Sequence, residues 1–199
     1  MRGARRVLRT RYNTPMRTIH IFTLFGLKTT ISSVGIVSFL AAILLLTLIA
    51  TAMLPLSFLE ALLAGALSAV VMFVCEWLHQ LGHAYAARSV GHPMIGVHFH
   101  SIFGASIYPA DEPPLPAALH VRRALGGFWI NVVIGMFLLP YGFFLWFDGG
   151  VKGWLVAFTA LYNLFVLGLG ALVPIDVPGR FTDDGGTLLR LWRERTLKR

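Results

Sequence analysis

The chain has 199 residues, of which 56% are hydrophobic and only 13% charged, whereas a soluble domain carries about 25% charged residues. That balance excludes an ordinary soluble enzyme and implies one membrane unit over residues 1–199, because several spans of about 20 residues leave too little chain for a second folded domain. Seventeen Lys and Arg against nine Asp and Glu give a net charge of +8, but the basic residues flank apolar runs, which points to the lipid bilayer and to topology and implies no nucleic acid.

In chain order, residues 1–28 form a basic segment with Arg2, Arg5, Arg6, Arg9, Arg11, Arg17 and Lys28 and no acid. Residues 18–29 read as a surface strand. No charge lies between Lys28 and Glu60, and the 23 residues from Val34 to Leu56 suffice, at about 1.5 Å per residue, to cross a core of about 30 Å. A cleaved signal peptide is the competing reading, since Ala50, Thr51 and Ala52 resemble a cleavage site. The apolar run, however, exceeds the usual length of about 7 to 15 residues. A second uncharged stretch, Ala61 to Cys75, reaches membrane length only by taking in Glu76, His79, Gln80 and His83, so these polar groups are expected inside the bilayer.

The stretch from Gly91 to His120 reads as a short strand pair around Val97, Phe99, Ile102 and Phe103, then a link through Pro109, Pro113, Pro114 and Pro116. Unsatisfied strands cannot face lipid, so this stretch is expected against the helices or along a wet cavity. Spans three and four run from Ala124 to Phe147 and from Gly153 to Ile175, separated by a turn from Asp148 to Lys152. Residues 187–199, with Leu188, Leu189 and Trp192 among arginines, read as an amphipathic cytoplasmic helix. The fold class is an all-α polytopic membrane protein of four transmembrane helices with a short interfacial strand region. The Lys and Arg bias puts both termini in the cytoplasm, as in a multi-pass protein of a bacterial-type plasma membrane.

At 100° per residue, Glu76, His79, Gln80, His83 and Ala87 share one stripe of the second span. Histidines four apart put two imidazoles on one face, close enough to bind a single zinc ion. A third protein ligand must come from elsewhere at the same membrane level. Asp184, just past the cytoplasmic end of span four, meets that condition, with Asp183 the near alternative. The bland reading has His79 and His83 as packing residues and the two aspartates as the start of a tail helix. Metal is favoured, because polar groups within a span are costly.

The run from His79 to Gly91, HQLGHAYAARSVG, resembles the HELGHxxxAxxxG signature of the site-2 protease family of intramembrane zinc metalloproteases. Residues 17–31, RTIHIFTLFGLKTTI, resemble the family's opening strand region, with Gly26 at its small turn. Residues 127–131, GFWIN, are similar to its GPxxN element, and residues 172–186, LVPIDVPGRFTDDGG, to the NLxP…DG segment whose aspartate is the third zinc ligand. The resemblance covers about residues 17–190. It implies one Zn2+ per chain on His79, His83 and Asp184, a transmembrane substrate protein as partner, and cleavage within that partner's span. It leaves the oligomeric state open.

Two departures stand out. The family's glutamate is Gln80 here, and its asparagine three residues before Pro174 is Ala171. In HExxH chemistry the glutamate takes a proton from a zinc-activated water, which glutamine cannot do, so impaired activity is expected. Glu76 lies one turn before Gln80 and is either a substitute base or a carboxylate that orients a histidine. Asn131 either packs against a helix or contacts the substrate backbone. Two alternatives stay open: a zinc-binding pseudoprotease that holds helices uncut, and a proton-relay transporter through Glu76, His79, His83 and Asp184. His92, His98, His100 and His120 are weighed as a second metal or pH-sensitive site, with ordinary interfacial hydrogen bonding preferred. Cys75, the lone cysteine, excludes an intrachain disulfide and reads as a small core residue.

Overall fold

The computed structural model describes residues 18–177 and 181–196. The basic segment before residue 18, with Arg180, Lys198 and Arg199, lies outside the described residues. Strands β1 (Thr18–Leu24) and β2 (Leu27–Ser32) form a hairpin that turns at Phe25 and Gly26, both at positive φ. Gly26 adopts its φ of 80° without the steric penalty a side chain would bring. Ser32 ends β2 and caps helix α1 (Ser33–Met53), its Oγ accepting from the Gly35 amide at 3.1 Å. Helix α2 (Phe58–Ser89) starts with a capping box: Ser57 Oγ accepts from the Glu60 amide, and Glu60 Oε2 accepts from the Ser57 amide at 2.9 Å.

Strands β3 (Gly96–Phe99) and β4 (Gly104–Ile107) follow, then α3 (Ala117–Asp148) and α4 (Gly150–Leu161). The expected five-residue turn between the last two reduces to Gly149 at φ 70°. Beyond Leu161 the helical path continues as a π-helix, Tyr162–Gly168, and a 3-10 turn, Leu169–Leu172, so span four is not the uniform helix the sequence suggested. Pro174 follows and cannot continue a helix. A two-stranded hairpin, β5 (Asp176–Val177) with β6 (Phe181–Thr182), leads into α5 (Asp184–Thr196).

Four helical segments, Ser33–Met53, Phe58–Ser89, Ala117–Asp148 and Gly150–Leu172, are long and apolar enough to cross a membrane. The architecture is mostly helical, but the strands form more than two isolated pieces. They make one mixed sheet in the order β1-β2-β3-β4, with β2 and β3 parallel and the other neighbours antiparallel. The all-α expectation is corrected to that extent. Pairing between β2 and β3 joins residues about 70 apart in sequence, which local pattern cannot reveal.

The sheet lies against the helices, as its backbone requires. Val97 and Phe99 are fully buried, Phe99 packs on Phe73 of α2 at 4.8 Å between ring centroids, and Trp77 Nε1 donates to Thr29 Oγ1 at 3.1 Å. A second core joins α1, α2 and span four around Leu46, Ala50, Ala64, Met72 and Trp154.

Candidate metal centre

Helix α2 presents Glu76, His79, Gln80, His83 and Ala87 on a buried face, the stripe expected from the 3.6-residue period. α3 approaches it through glycines. A β-carbon on Gly127 would meet the His79 ring at 2.5 Å, and one on Gly82 would run into the Gly126 carbonyl oxygen. Gly127 therefore leaves the space that the His79 imidazole fills, while Gly126 and Gly82 let the two helices touch backbone to backbone.

Asp184 arrives from the other side. Asp183 Oδ1 accepts from the Gly186 amide at 2.6 Å and from the Ile175 amide at 2.9 Å, so Asp183 is the cap of α5 and ties it to the end of span four. That leaves Asp184 in the first turn to face the histidines. A β-carbon on Gly185 would strike the Leu172 carbonyl oxygen, so glycine there lets α5 start against the end of span four.

The geometry converges on one point. Asp184 Oδ2 lies 3.4 Å from His79 Nε2 and 3.3 Å from His83 Nε2, and the two Nε2 atoms are 2.9 Å apart. Both Nδ1 atoms are engaged elsewhere. His83 Nδ1 lies 2.8 Å from the Arg123 carbonyl oxygen and His79 Nδ1 2.8 Å from Asn131 Oδ1. Carbonyl oxygens only accept, so each Nδ1 donates and each neutral ring turns an Nε2 lone pair inward. Two lone pairs and a carboxylate oxygen facing one another repel unless a cation lies between them. Asp184 brings one carboxylate oxygen to within 3.4 Å of both nitrogens. Two imidazoles and one carboxylate, with their other nitrogens hydrogen-bonded, fit a divalent cation of the zinc type.

The site opens into a cavity of about 730 Å³. Its lining joins Glu76, Gln80 and Ser106 to apolar Phe165, Val166 and Ala171. Ala171 offers only a methyl group where the resemblance called for an amide. Gln80 is tied sideways: Nε2 donates to Glu76 Oε1 at 3.0 Å and to the Gly104 carbonyl at 3.1 Å, while Oε1 accepts from Ser106 Oγ at 2.7 Å. Glu76 Oε1 also accepts from the Gly104 amide at 2.9 Å. Glu76 and Gln80 together thus fasten β4 to α2.

Asn131 is fully buried and hydrogen-bonded on both sides, to His79 and, through Nδ2, to Asn163 Oδ1 at 2.6 Å. It has no exposed surface for a substrate contact and packs between helices. Asn163 itself, fully buried, escaped the sequence reading; the available signal was a lone amide in an apolar span. Cys75 is buried, as expected of a core residue. The remaining histidines do not gather into a metal cluster among the described residues. His98 Nδ1 bonds Thr30 Oγ1 at 3.0 Å, and His92 faces Glu112 at 3.9 Å. Burial pushes the imidazoles of His98 and His100 below their usual range, helped at His98 by His100. Both read as neutral hydrogen-bonding groups.

No family model matches the chain. Over 122 residues, 61% of its length, it is 31% identical to a zinc metalloprotease of Methanocaldococcus jannaschii, of which the match covers 32%. The chain therefore spans about a third of that relative's length. A solved site-2 protease from the same organism superposes with a TM-score of 0.58 at 22% identity, covering 90% of this chain and 73% of that one. This chain has the fold of a site-2 protease, and in its motif at His79 and His83 and its aspartate at 184 it is similar to that family.

Proposed function

We propose that the protein is a membrane-embedded zinc metalloprotease of the site-2 type that cleaves transmembrane segments of other proteins slowly. The observation that carries this reading is the convergence of His79 Nε2, His83 Nε2 and Asp184 Oδ2 beside a cavity of about 730 Å³. Membrane embedding is supported by four apolar helices whose outward faces carry residues such as Leu44, Leu48, Phe137 and Phe144, each well over half exposed. Such faces suit lipid and not water. The Lys and Arg distribution supports cytoplasmic termini in a plasma membrane, with the site toward the cytoplasmic side.

His79, His83 and Asp184 hold the metal. Zinc, when bound, supplies a Lewis acid that polarises a scissile carbonyl and acidifies a water. The remaining work falls to the chain. Asn131 and the Arg123 carbonyl hold the two rings in the tautomer that ligation needs. A substrate helix shields its own peptide bonds and must unwind locally to expose one; the cavity offers polar groups at Gln80 and Ser106 beside an apolar wall at Phe165 and Val166. Gln80 has no basic lone pair to take a proton from water, and its amide is already engaged by β4 and Glu76. Glu76 is the one carboxylate on this stripe of α2 able to do so, at a turn's remove, and turnover is slow for that reason.

A second reading, capture of transmembrane helices without cleavage, is favoured by that engagement of Gln80 and by Ala171 in the cavity wall. The test is a cleavage assay in reconstituted membranes comparing the unaltered protein, Gln80→Glu and Glu76→Gln. A restored carboxylate should raise cleavage by about 10²-fold, the worth of a positioned base, and Glu76→Gln should abolish the residual activity. If Gln80→Glu binds zinc and a helix yet releases no product, helix capture is the function. Equal, non-zero activity in all three proteins would mean that neither residue is the base.

A further inference from the structure

The His79 ring is oriented by an asparagine, and an asparagine amide is an ambiguous partner. Its oxygen and nitrogen are nearly the same size, so a half-turn about the last side-chain bond would present a donor to His79 in place of an acceptor. The ring would then carry its proton on Nε2, and the lone pair needed for a metal would point the wrong way. The Asn131 amide is fully buried, among protein groups. Something in the protein must fix it.

We infer that Asn163 is a positioning residue for the metal centre: it fixes the orientation of the Asn131 amide and through it the tautomer of His79. This rests on the zinc reading above and adds to it a residue on span four. The direction of the chain of bonds is set at its far end. Asn163 Nδ2 lies 2.8 Å from the Thr159 backbone carbonyl and 3.1 Å from Cys75 Sγ. A backbone carbonyl only accepts, so this end of the Asn163 amide is its nitrogen and the other end is Oδ1. Oδ1 lies 2.6 Å from the Asn131 amide, which must answer with its nitrogen. Asn131 Oδ1 is thereby turned to His79 Nδ1 at 2.8 Å. One invariable acceptor, the Thr159 carbonyl, dictates every group up to the metal face.

The fold provides the contact deliberately. Asn163 sits at the start of the π-helix Tyr162–Gly168, an uncommon geometry that concentrates at functional sites. On α3, a β-carbon at Gly135 would meet Leu164 at 2.7 Å, so glycine there admits the close approach that brings the two amides together.

The experiment is a double-substitution cycle read by Zn2+ affinity, with the purified protein in detergent competing against a chromophoric chelator. Asn163→Leu keeps the branched shape, at a larger volume, and removes the polar groups. It should weaken Zn2+ binding by about 10- to 100-fold, the usual effect of losing a group that orients a ligand. In an Asn131→Asp background the same change should have no such effect, because a carboxylate accepts from His79 whichever way it is turned. An equal loss in both backgrounds would mean that Asn163 acts by packing, and no loss in either would mean that it does not act; each overturns the inference. Should Asn131→Asp fail to fold, a metal-free measurement decides: the His79 Nδ1 proton, followed by nitrogen-15 NMR, should exchange with solvent faster in Asn163→Leu than in the unaltered protein. Unchanged exchange would overturn the relay. Absence of Zn2+ binding by the unaltered protein would instead overturn the zinc reading, with the proton measurement still judging the relay.

Discussion

From Phe58 to Cys75, helix α2 meets its neighbours mainly through small residues, whereas from Glu76 to Ser89 it adds a set of hydrogen bonds to the close contact at Gly82. The first half buries Ala61, Ala64, Gly65, Ser68 and Ala69, and Gly65 comes so close to α1 that a β-carbon would run into Thr47 Oγ1 and lie 2.7 Å from the Ile43 carbonyl oxygen. Its interhelical side-chain bonds among the described residues are Trp154 Nε1 to Ser68 Oγ at 2.9 Å and, at its very end, Asn163 Nδ2 to Cys75 Sγ at 3.1 Å. The second half bonds α3 through His79 and His83, β4 through Glu76 and Gln80, and faces α5 at Asp184. In lipid, apolar helices gain nothing by hiding from the solvent, so close approach of small residues and interhelical polar bonds are the two means of holding them together. One helix uses both, and most of its geometry-setting bonds fall in the half that carries the histidines.

The comparison breaks most sharply at a ligand. His83→Ala removes from the polar half one of the three proposed ligands, so on the zinc reading the unaltered protein should retain zinc near one per chain after dialysis and the variant none. Metal analysis decides it, and zinc retained at full occupancy by His83→Ala would dissolve the distinction. A smaller effect is expected in the packed half. Gly65→Val overfills the contact with Thr47 and should destabilise the fold by about 1–3 kcal/mol, seen as a lower thermal midpoint in detergent, while zinc affinity of the folded protein stays unchanged. Loss of zinc with the fold intact would show that the halves are coupled.

The last test carries no energetic change and places the two halves relative to the membrane. Cys75 is 4% exposed, so the unaltered protein should be silent to a thiol reagent. Added outside intact cells, an impermeant maleimide should label Lys152→Cys, beside the packed half, and leave Ser89→Cys, at the polar end, untouched. The opposite pattern would put the polar half and its metal outside.

The polar half was legible because its residues repeat at helical spacing, and Asp184 because an even number of crossings returns span four to the level of His83. Asp184 is preferred on sequence with Asp183 as the near alternative, and the cap of α5 separates them by assigning the latter to the Gly186 and Ile175 amides. The partners of Gln80 lie on β4, 24 and 26 residues away, and that strand is placed by sheet pairing, not by local pattern. Asn163 stayed hidden for a different reason: its partner is 32 residues distant, and the π-helix shifts the phase by which a regular helix would have assigned it a face.

That shift has a meaning beyond this site. A π segment holds roughly one residue more than the same rise of α-helix, so Tyr162–Gly168 behaves as an insertion absorbed inside a span without lengthening it. A homologue lacking that residue would run as plain helix with both flanks on their present faces, whereas the same residues wound as plain helix would turn one side by about 100° relative to the other. Around Asn163, the extra residue is thus taken up locally, and the two ends of the span keep their faces.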